Sequence, residues 1–203
     1  MKKTKTSYLL RGTPSILLVL GAGFVMASSA DIRAALGMGV AVLLSMLLSS
    51  IVVSAVHKIV PNYAKLPTYV LIISGFVTLI SMLMQAFAPA VVNMLGVHLA
   101  TLAVSAVVYR DAEEVADHNG ELKSIEVALV TGVFFTVIMV VCALIREVIG
   151  NASLWGQPIA FLQDYKISAI AGAFGGYLVL AIVMAVINKV TGLHHHLDEK
   201  EDN

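Results

Sequence analysis

The residues of this 203-residue chain that could do chemistry are few, and those nearest the apolar segments stand at the predicted segment ends. A proton relay through a membrane needs an acid or a base within a spanning helix, and the sequence predicts none at a helix centre. Arg146 closes its apolar segment, so we expect it to interact with the negative end of that helix dipole. The ionisable residues concerned are Asp31, His57, His98, Arg146 and Glu147.

The cysteine and histidine residues do not form a recognisable metal site or catalytic set. Cys142 is the single cysteine and lies in an apolar run, so it predicts neither a disulfide nor a cysteine-ligated metal centre, and we expect it to fill the core. His194, His195 and His196 precede the charged residues 198–203, and we interpret them as part of a solvated tail. Phosphate-binding loops, dinucleotide fingerprints and nucleophile–base pairs at usable spacing do not occur. The sequence therefore predicts no catalytic residues and no metal site.

The composition identifies the class of protein. Hydrophobic residues make up 59% of the chain and charged residues only 13%, which leaves too few charges to cover a soluble domain. The formal net charge is zero and no basic patch with interleaved aromatic residues occurs, which argues against a nucleic-acid partner. We therefore predict an integral membrane protein.

Six segments are long and apolar enough to cross a membrane, whose hydrocarbon core requires about 20 residues of helix. They are continuously apolar and do not alternate with period two, which argues against a strand barrel. The predicted fold class is an all-α integral membrane protein with six transmembrane helices. The segments cover about residues 14–30, 34–56, 67–88, 91–109, 124–145 and 167–190.

The first segment carries an unusual pair of glycines, Gly21 and Gly23, near its middle. Glycine weakens a helix by up to about 1 kcal/mol relative to alanine, and it allows another backbone, a cofactor or an ion to come close. A packing groove for a neighbouring helix is the alternative interpretation. The fourth segment has a weak counterpart at residues 104–106, Val-Ser-Ala. We therefore expect interrupted helices 1 and 4, which meet near the midplane.

Faint internal repetition divides the chain into two halves. The second and fifth segments open with related hexapeptides, at residues 35–40 and 128–133, that share Ala-Leu and Gly-Val pairs in one register. Three helices is an odd number, so a second copy of such a unit must enter the membrane from the opposite side. We predict a single membrane domain of two inverted three-helix repeats. The domain spans residues 1–203, with pseudo-repeats at about 13–90 and 91–192 and a tail at 193–203.

The beginning of the chain has some features of a secretory signal, because basic residues precede the first segment and small residues end it at 26–30. The glycine pair breaks the apolar core more than is usual for a signal. We therefore expect the segment to be the first membrane helix, with Pro14 in its first turn, where the missing N–H does no harm.

Lysine and arginine residues are distributed unevenly between the two ends of the predicted bundle. Ten lie in the termini and the even-numbered connections, and only Arg33, Arg146 and Lys166 lie on the other side. The positive-inside rule then places both termini in the cytoplasm. Trp155 and Tyr165, in the fifth connection, match the aromatic belt of the opposite face.

The connections and the last helix carry three further patterns. The fourth connection is acidic, and we interpret it as a solvated loop, with a docking site for a partner as the alternative. The fifth connection, residues 147–166, suggests a loop on the bilayer surface or against another subunit. Small residues at 171–176 indicate a close packing face that is either internal or subunit-facing. The acidic residues are Asp111, Glu113, Glu114, Asp117 and Glu121.

Three stretches of the chain resemble a known family. They are residues 66–78 (LPTYVLIISGFVT), residues 112–116 (AEEVA), and residues 145–156 with their IREVIG and SLWG runs. Together they resemble the E subunit of the Rnf-type electron-transport complex, and they are similar to the related D subunit of sodium-translocating NADH:quinone oxidoreductase. The likeness covers about residues 13–190. It implies six helices in an inverted repeat, and a pair of homologous A and E subunits that hold one [2Fe–2S] cluster at mid-membrane with two cysteines each.

The chain departs from this family at both cysteine positions. Where the family has Leu-Gly-Leu-Cys-Pro, residues 20–24 read Leu-Gly-Ala-Gly-Phe, and where the family has Val-Asn-Cys, residues 104–106 read Val-Ser-Ala. Neither Gly23 nor Ala106 has a side-chain donor for iron, so this chain cannot complete a four-thiolate cluster. We expect no cofactor bound by this chain alone. The degenerate site should be metal-free and packed by Ala22, Phe24 and Ser105.

The resemblance implies an integral membrane subunit of an ion-translocating electron-transport complex in the bacterial cytoplasmic (inner) membrane. This copy would be a non-ligating scaffold or ion-path subunit, partnered by other complex subunits, especially a paired homologous six-helix subunit, and by membrane lipid. A stand-alone inverted-repeat transporter or channel is the first alternative, which the missing cysteines favour. A purely structural assembly protein is the second.

Overall fold

The computed structural model describes residues 21–113, 121–158 and 168–191, and the structural statements below concern these residues. The described chain is helical, with one small hairpin. Its helices are α1 (Ala22–Ser28), α2 (Ile32–Val56), α3 (Lys65–Phe87), α4 (Pro89–Leu95), α5 (Val97–Thr101), α6 (Ala106–Asp111), α7 (Glu121–Asn151), α8 (Ser168–Ala171) and α9 (Ala173–Thr191). Short 3₁₀ turns lie at Asn62–Ala64 and Leu102–Val104.

Three of the described helices are long and apolar enough to cross a membrane. They are α2, α3 with its preceding 3₁₀ turn, and α7, and they match the second, third and fifth predicted segments. The first segment is described from residue 21 onward, where α1 forms its last part. The sixth corresponds to α8 and α9, which are separated at Gly172. These observations confirm a helical membrane protein.

The fourth predicted segment is not one straight helix. The chain bends by 76° between Pro89–Leu95 and Val97–Arg110, at Gly96, whose φ of +52° glycine adopts without strain. A second interruption follows at Ser105, which is extended with φ −69° and ψ 123°. This second break lies within the Val-Ser-Ala stretch of residues 104–106.

The centre of the molecule is the contact between α2 and α7. An added Cβ at Gly39 would collide with the Thr136 side chain, and one at Gly132 would lie 3.2 Å from the Leu43 Cα. Residue numbers that rise along one helix meet falling numbers on the other, so α2 and α7 run antiparallel. Cys142, fully buried on α7, belongs to this core as the sequence predicted.

The fifth connection begins later than predicted and contains regular structure. Helix α7 continues to Asn151, so Arg146 and Glu147 lie within a helix and not at the start of a loop. A hairpin follows, in which β1 (Ser153–Leu154) pairs with β2 (Gln157–Pro158). Its turn residues, Trp155 and Gly156, both have positive φ, as two-residue hairpin turns of type I′ require. The all-helical prediction missed this hairpin.

Candidate functional site

The two degenerate positions, Gly23 and Ala106, both lie in the first turn of a short helix. Gly23 is the second residue of α1, and Ala106 is the first residue of α6. Both are exposed on the surface of the chain. An added Cβ at Gly23 would meet no atom within 4 Å in the described part of the chain. Neither position is therefore covered by the described core.

The helix starts that carry these positions come together over Phe135. Gly21 precedes α1 and is buried, and an added Cβ there would collide with the Phe135 ring and lie 3.2 Å from Val107 Cγ2. Val107 is the second residue of α6 and is 1% exposed. Gly21 is thus the glycine of the pair that permits a close approach, whereas Gly23 has no described atom near its added Cβ.

The side chains around this junction are poor in metal donors. Ala22 packs against the core and Ser105 is buried, whereas the side chain of Phe24, the third residue predicted to pack the site, lies outside what the structure describes. The Ser105 hydroxyl has no hydrogen-bond partner within the described residues. Over those same residues no group of three or more His, Cys, Asp or Glu side chains could hold a metal ion. The described residues of the junction therefore provide a closely packed surface and backbone groups, and no cluster of metal-binding side chains.

Arg146 is the most highly connected buried charge that the structure describes. Its side chain is 3% exposed and reaches across to α1, where Nη1 donates to the Met26 carbonyl at 2.8 Å and to Ser29 Oγ at 2.5 Å. On the other side, Nη2 donates to the carbonyls of Ala171, at 2.8 Å, and Gly172, at 3.3 Å. Arg146 therefore joins the carboxyl ends of α1 and α8.

Glu147, the next residue, is also buried, with 1% of its side chain exposed. Oε2 accepts from the backbone N–H of Ile32 at 2.9 Å, at the amino end of α2. Oε1 accepts from the N–H of Gly156 at 2.7 Å, in the hairpin turn. Glu147 therefore fixes the first residue of α2 and the hairpin to α7.

The arrangement of these two charges follows helix electrostatics. A guanidinium meets carbonyls at the carboxyl ends of helices, and a carboxylate meets an N–H at an amino end, which are the favourable polarities. We expected Arg146 to act on the end of its own helix, and that prediction was wrong, because α7 runs on for five more residues. Adjacent opposite charges inside an apolar run are the sequence signal that could have revealed the pair.

The remaining predicted residues do not join a common site. Asp31 caps α2, and its Oδ1 accepts from the Arg33 N–H at 2.8 Å. His57 ends α2 with Nδ1 2.6 Å from the Ser54 carbonyl oxygen, and His98 is exposed on α5. His194 to His196 and residues 114–120 of the acidic fourth connection lie outside the described residues.

The small residues of the sixth segment form an internal packing face. Gly176 is buried, and an added Cβ there would lie 3.2 Å from Arg146 Cζ. Gly175 is buried against the Ile170 backbone, and an added Cβ at Gly150 of α7 would lie 2.7 Å from the Ala171 nitrogen. Of the two alternatives for this face, the internal one holds for Gly175 and Gly176.

Comparison with known proteins gives consistent matches over nearly the whole chain. A family model described as Rnf-Nqr subunit, membrane protein, matches residues 1–191. The E subunit of the Na⁺-translocating ferredoxin:NAD⁺ oxidoreductase complex of Acetobacterium woodii is 30% identical over 186 residues, which cover 92% of this chain and 95% of that protein. The E subunits of ion-translocating oxidoreductase complexes from Methanosarcina acetivorans and Shewanella frigidimarina are 29% and 33% identical, over 89% and 77% of this chain and 86% and 68% of their own lengths.

Proposed function

Because the chain belongs to the Rnf-Nqr family of membrane subunits, we propose that it works as the E subunit of an ion-translocating electron-transport complex. The observation that carries this proposal is the match to E subunits over most of both chains. The break at Ser105 and the start of α1 at Ala22, directly after Gly21, support it, because they lie at the two places where the family resemblance puts its functional residues.

We further propose that this copy holds no iron–sulfur cluster of its own. The residues present do not fit one, since Gly23 and Ala106 supply no side-chain donor and the single thiol, Cys142, is buried in the α7 core. Iron–sulfur clusters are held by cysteine thiolates, with histidine as the less common ligand. The role left to the chain is that of a scaffold and ion-path subunit.

The exposed surface around the two degenerate positions is the proposed contact with a paired six-helix subunit. Gly23 and Ala106 are exposed, and Val104 beside them is 74% exposed. The residues lie on neighbouring short helices, since Gly21 meets Val107. A homologous partner placed here would cover both positions at once, as in the family arrangement of the A and E subunits.

An inverted repeat of six helices is the proposed architecture, and the α2–α7 contact supports it. The hexapeptide repeat equates Gly39 with Gly132, and in the same register Leu43 with Thr136. Gly39 packs on Thr136 and Gly132 packs on Leu43. Such reciprocal contacts are what a two-fold axis produces, and an axis in the membrane plane makes the paired helices antiparallel.

The experiment for the proposed function is purification from the native membrane through a tag placed after Asn203. We expect flavin- and iron–sulfur-bearing subunits to co-purify, with iron in the complex and none in the isolated chain. A photo-crosslinking amino acid at Ala106 should capture another subunit, whereas one at Lys58, exposed just beyond the far end of α2, is the control. Recovery of a lone oligomer would contradict the proposal and favour the transporter alternative.

A further inference from the structure

An apolar groove of about 470 Å³ lies between α2 and α3, near the end of the bundle where the hairpin sits. This is within the usual range of small-ligand pockets, about 300–1,000 Å³. The exposed apolar side chains along it include Val40, 50% exposed, and Phe87, 86% exposed. Its lining also includes Leu36, Leu83, Met84 and Val91.

One end of this α2–α3 groove is charged and aromatic. Arg33 and Trp155 belong to the lining, Arg33 Nη2 donates to the Trp155 carbonyl at 2.5 Å, and the guanidinium carbon lies 5.9 Å from the centre of the indole ring. These contacts hold the guanidinium at the groove mouth. Its Nε is buried and has no hydrogen-bond partner within the described residues. Asp31 accepts from the Arg33 backbone N–H, not from the guanidinium.

We propose that the α2–α3 groove binds one anionic phospholipid, with the phosphate at Arg33 and an acyl chain along the apolar wall. The order of polarity matches that of a lipid, because Arg33 is the one charged residue in the described lining and the rest of that lining is apolar or aromatic. Trp155, at the same end as Arg33, is a residue type that is favoured at the boundary between headgroups and hydrocarbon.

A lipid fits the groove better than a helix from another subunit. A phosphate at the mouth would offer the guanidinium a charged acceptor with matching fork geometry. The wall below it consists of exposed Leu, Val and Phe side chains, which require no polar partner. A helix from another subunit would have to place an acceptor against Arg33 at one end of the groove and apolar side chains along the rest of it.

The test uses Trp155, the single tryptophan of the chain, as a fluorescent reporter at the groove mouth. The full chain is reconstituted in phosphatidylcholine vesicles that contain either phosphatidylglycerol or phosphatidylcholine with brominated acyl chains, which quench tryptophan on contact. We expect brominated phosphatidylglycerol to reach half-quenching at about fivefold lower mole fraction, which is the advantage of one basic residue near the surface. Equal quenching by the two lipids would overturn the proposal.

Matched variants separate charge from structure. Arg33→Gln should abolish the preference for phosphatidylglycerol and Arg33→Lys should retain most of it, whereas Lys58→Gln, just beyond the far end of α2, should leave it unchanged. Val40→Phe should lower quenching by both lipids, because the added ring fills the groove. An unchanged preference in Arg33→Gln would overturn the proposal. So would polypeptide density from another subunit along the groove in the purified complex.

Discussion

Arg146 and Glu147 provide hydrogen-bond partners for backbone groups at the ends of helices. Helices such as α1 and α8 leave carbonyl groups unpaired at their ends, and no water is present in hydrocarbon to satisfy them. Arg146 donates to the Met26, Ala171 and Gly172 carbonyls. The guanidinium pairs with these backbone carbonyls, so the interrupted parts of the bundle are tied together at one residue.

Replacing the guanidinium should therefore weaken the fold. We expect Arg146→Gln to lower the free energy of unfolding by about 3 kcal/mol, because several buried carbonyls lose a charged donor, and Arg146→Lys to cause a smaller loss, since an ammonium cannot reproduce the fork. Unfolding of the purified chain in mixed micelles measures both. Lys189→Gln, at an exposed position of α9, should stay within about 0.5 kcal/mol. A similar loss of unfolding free energy in Lys189→Gln would show that removal of any positive charge destabilises the chain, whatever contacts that charge makes.

The two glycines of the first segment should respond differently to alanine. Gly21→Ala should destabilise the chain by about 1–3 kcal/mol, because its Cβ would overlap the Phe135 ring. Gly23→Ala should be neutral or stabilise the chain by up to about 1 kcal/mol, because its Cβ enters open space and alanine favours the helix. Thermal unfolding of the detergent-solubilised chain compares the two. Equal behaviour would contradict the assignment of Gly21 as the close-contact residue.

At the scale of elements, α2 and α7 form the central helix pair, against which the shorter helices pack. Both helices contribute a glycine at which the other approaches closely, Gly39 against Thr136 and Gly132 against Leu43. The Thr136 hydroxyl donates to the Gly132 carbonyl at 2.7 Å and to the Gly39 carbonyl at 3.2 Å. Small residues that permit close contact are the usual means of helix association in membranes.

A disulfide can test the antiparallel register. An ideal Cβ at Gly132 lies 3.4 Å from the Leu43 Cβ, close to the 3.5–4.5 Å of natural disulfides, so Leu43→Cys with Gly132→Cys should crosslink on mild oxidation. Leu43→Cys with Gly150→Cys should not, because Gly150 is about 27 Å further along α7. Buried Cys142 is common to both. The masses of the disulfide-linked peptides after proteolysis identify which cysteines are joined. Crosslinking of the Leu43 and Gly150 positions alone would refute the register.

At the scale of the whole molecule, three connections that are distant in sequence lie at one end of the bundle. The α2–α3 groove is bordered by Arg33 after the first connection, by Ala88 at the third and by Trp155 in the fifth. Asn151 Nδ2 also donates to the Ala30 carbonyl at 3.3 Å. The groove brings the first residues of α2 against the last residues of α3, so these two helices run in opposite directions. Because Arg146 is buried within α7, the number of basic residues that the sequence assigns to loops on this side falls from three to two, Arg33 and Lys166.

The orientation can be measured with topology reporters. A reporter after Asn203 and one inserted near His118 should be active only in the cytoplasm, because ten basic residues lie on that side. A reporter near Trp155 should be active only on the opposite face. Paired fusions to alkaline phosphatase and green fluorescent protein read the two sides. Phosphatase activity at Asn203 would reverse the assignment.

The class of protein, the places of the long helices and the family could all be predicted from the sequence. Hydropathy is a property of neighbouring residues, so α2, α3 and α7 were predictable within a few residues apart from the extension of α7 to Asn151. The small residues at 104–106 likewise marked a local weakness, and the chain is interrupted there. The family resemblance, carried by short runs of residues, is confirmed.

Which of these residues act together depends on the tertiary structure. Arg146 meets Met26 across 120 positions of sequence, and Glu147 meets Ile32 across 115, and no local pattern encodes a partner at that distance. Of the two glycines, Gly21 is the one that packs against Phe135, whereas Gly23 is exposed. The α2–α3 groove likewise combines residues from parts of the chain that are distant in sequence, such as Arg33, Leu83 and Trp155. Hydrogen bonds and close contacts of this kind depend on how helices pack in space, whereas the helices themselves depend on neighbouring residues in the chain.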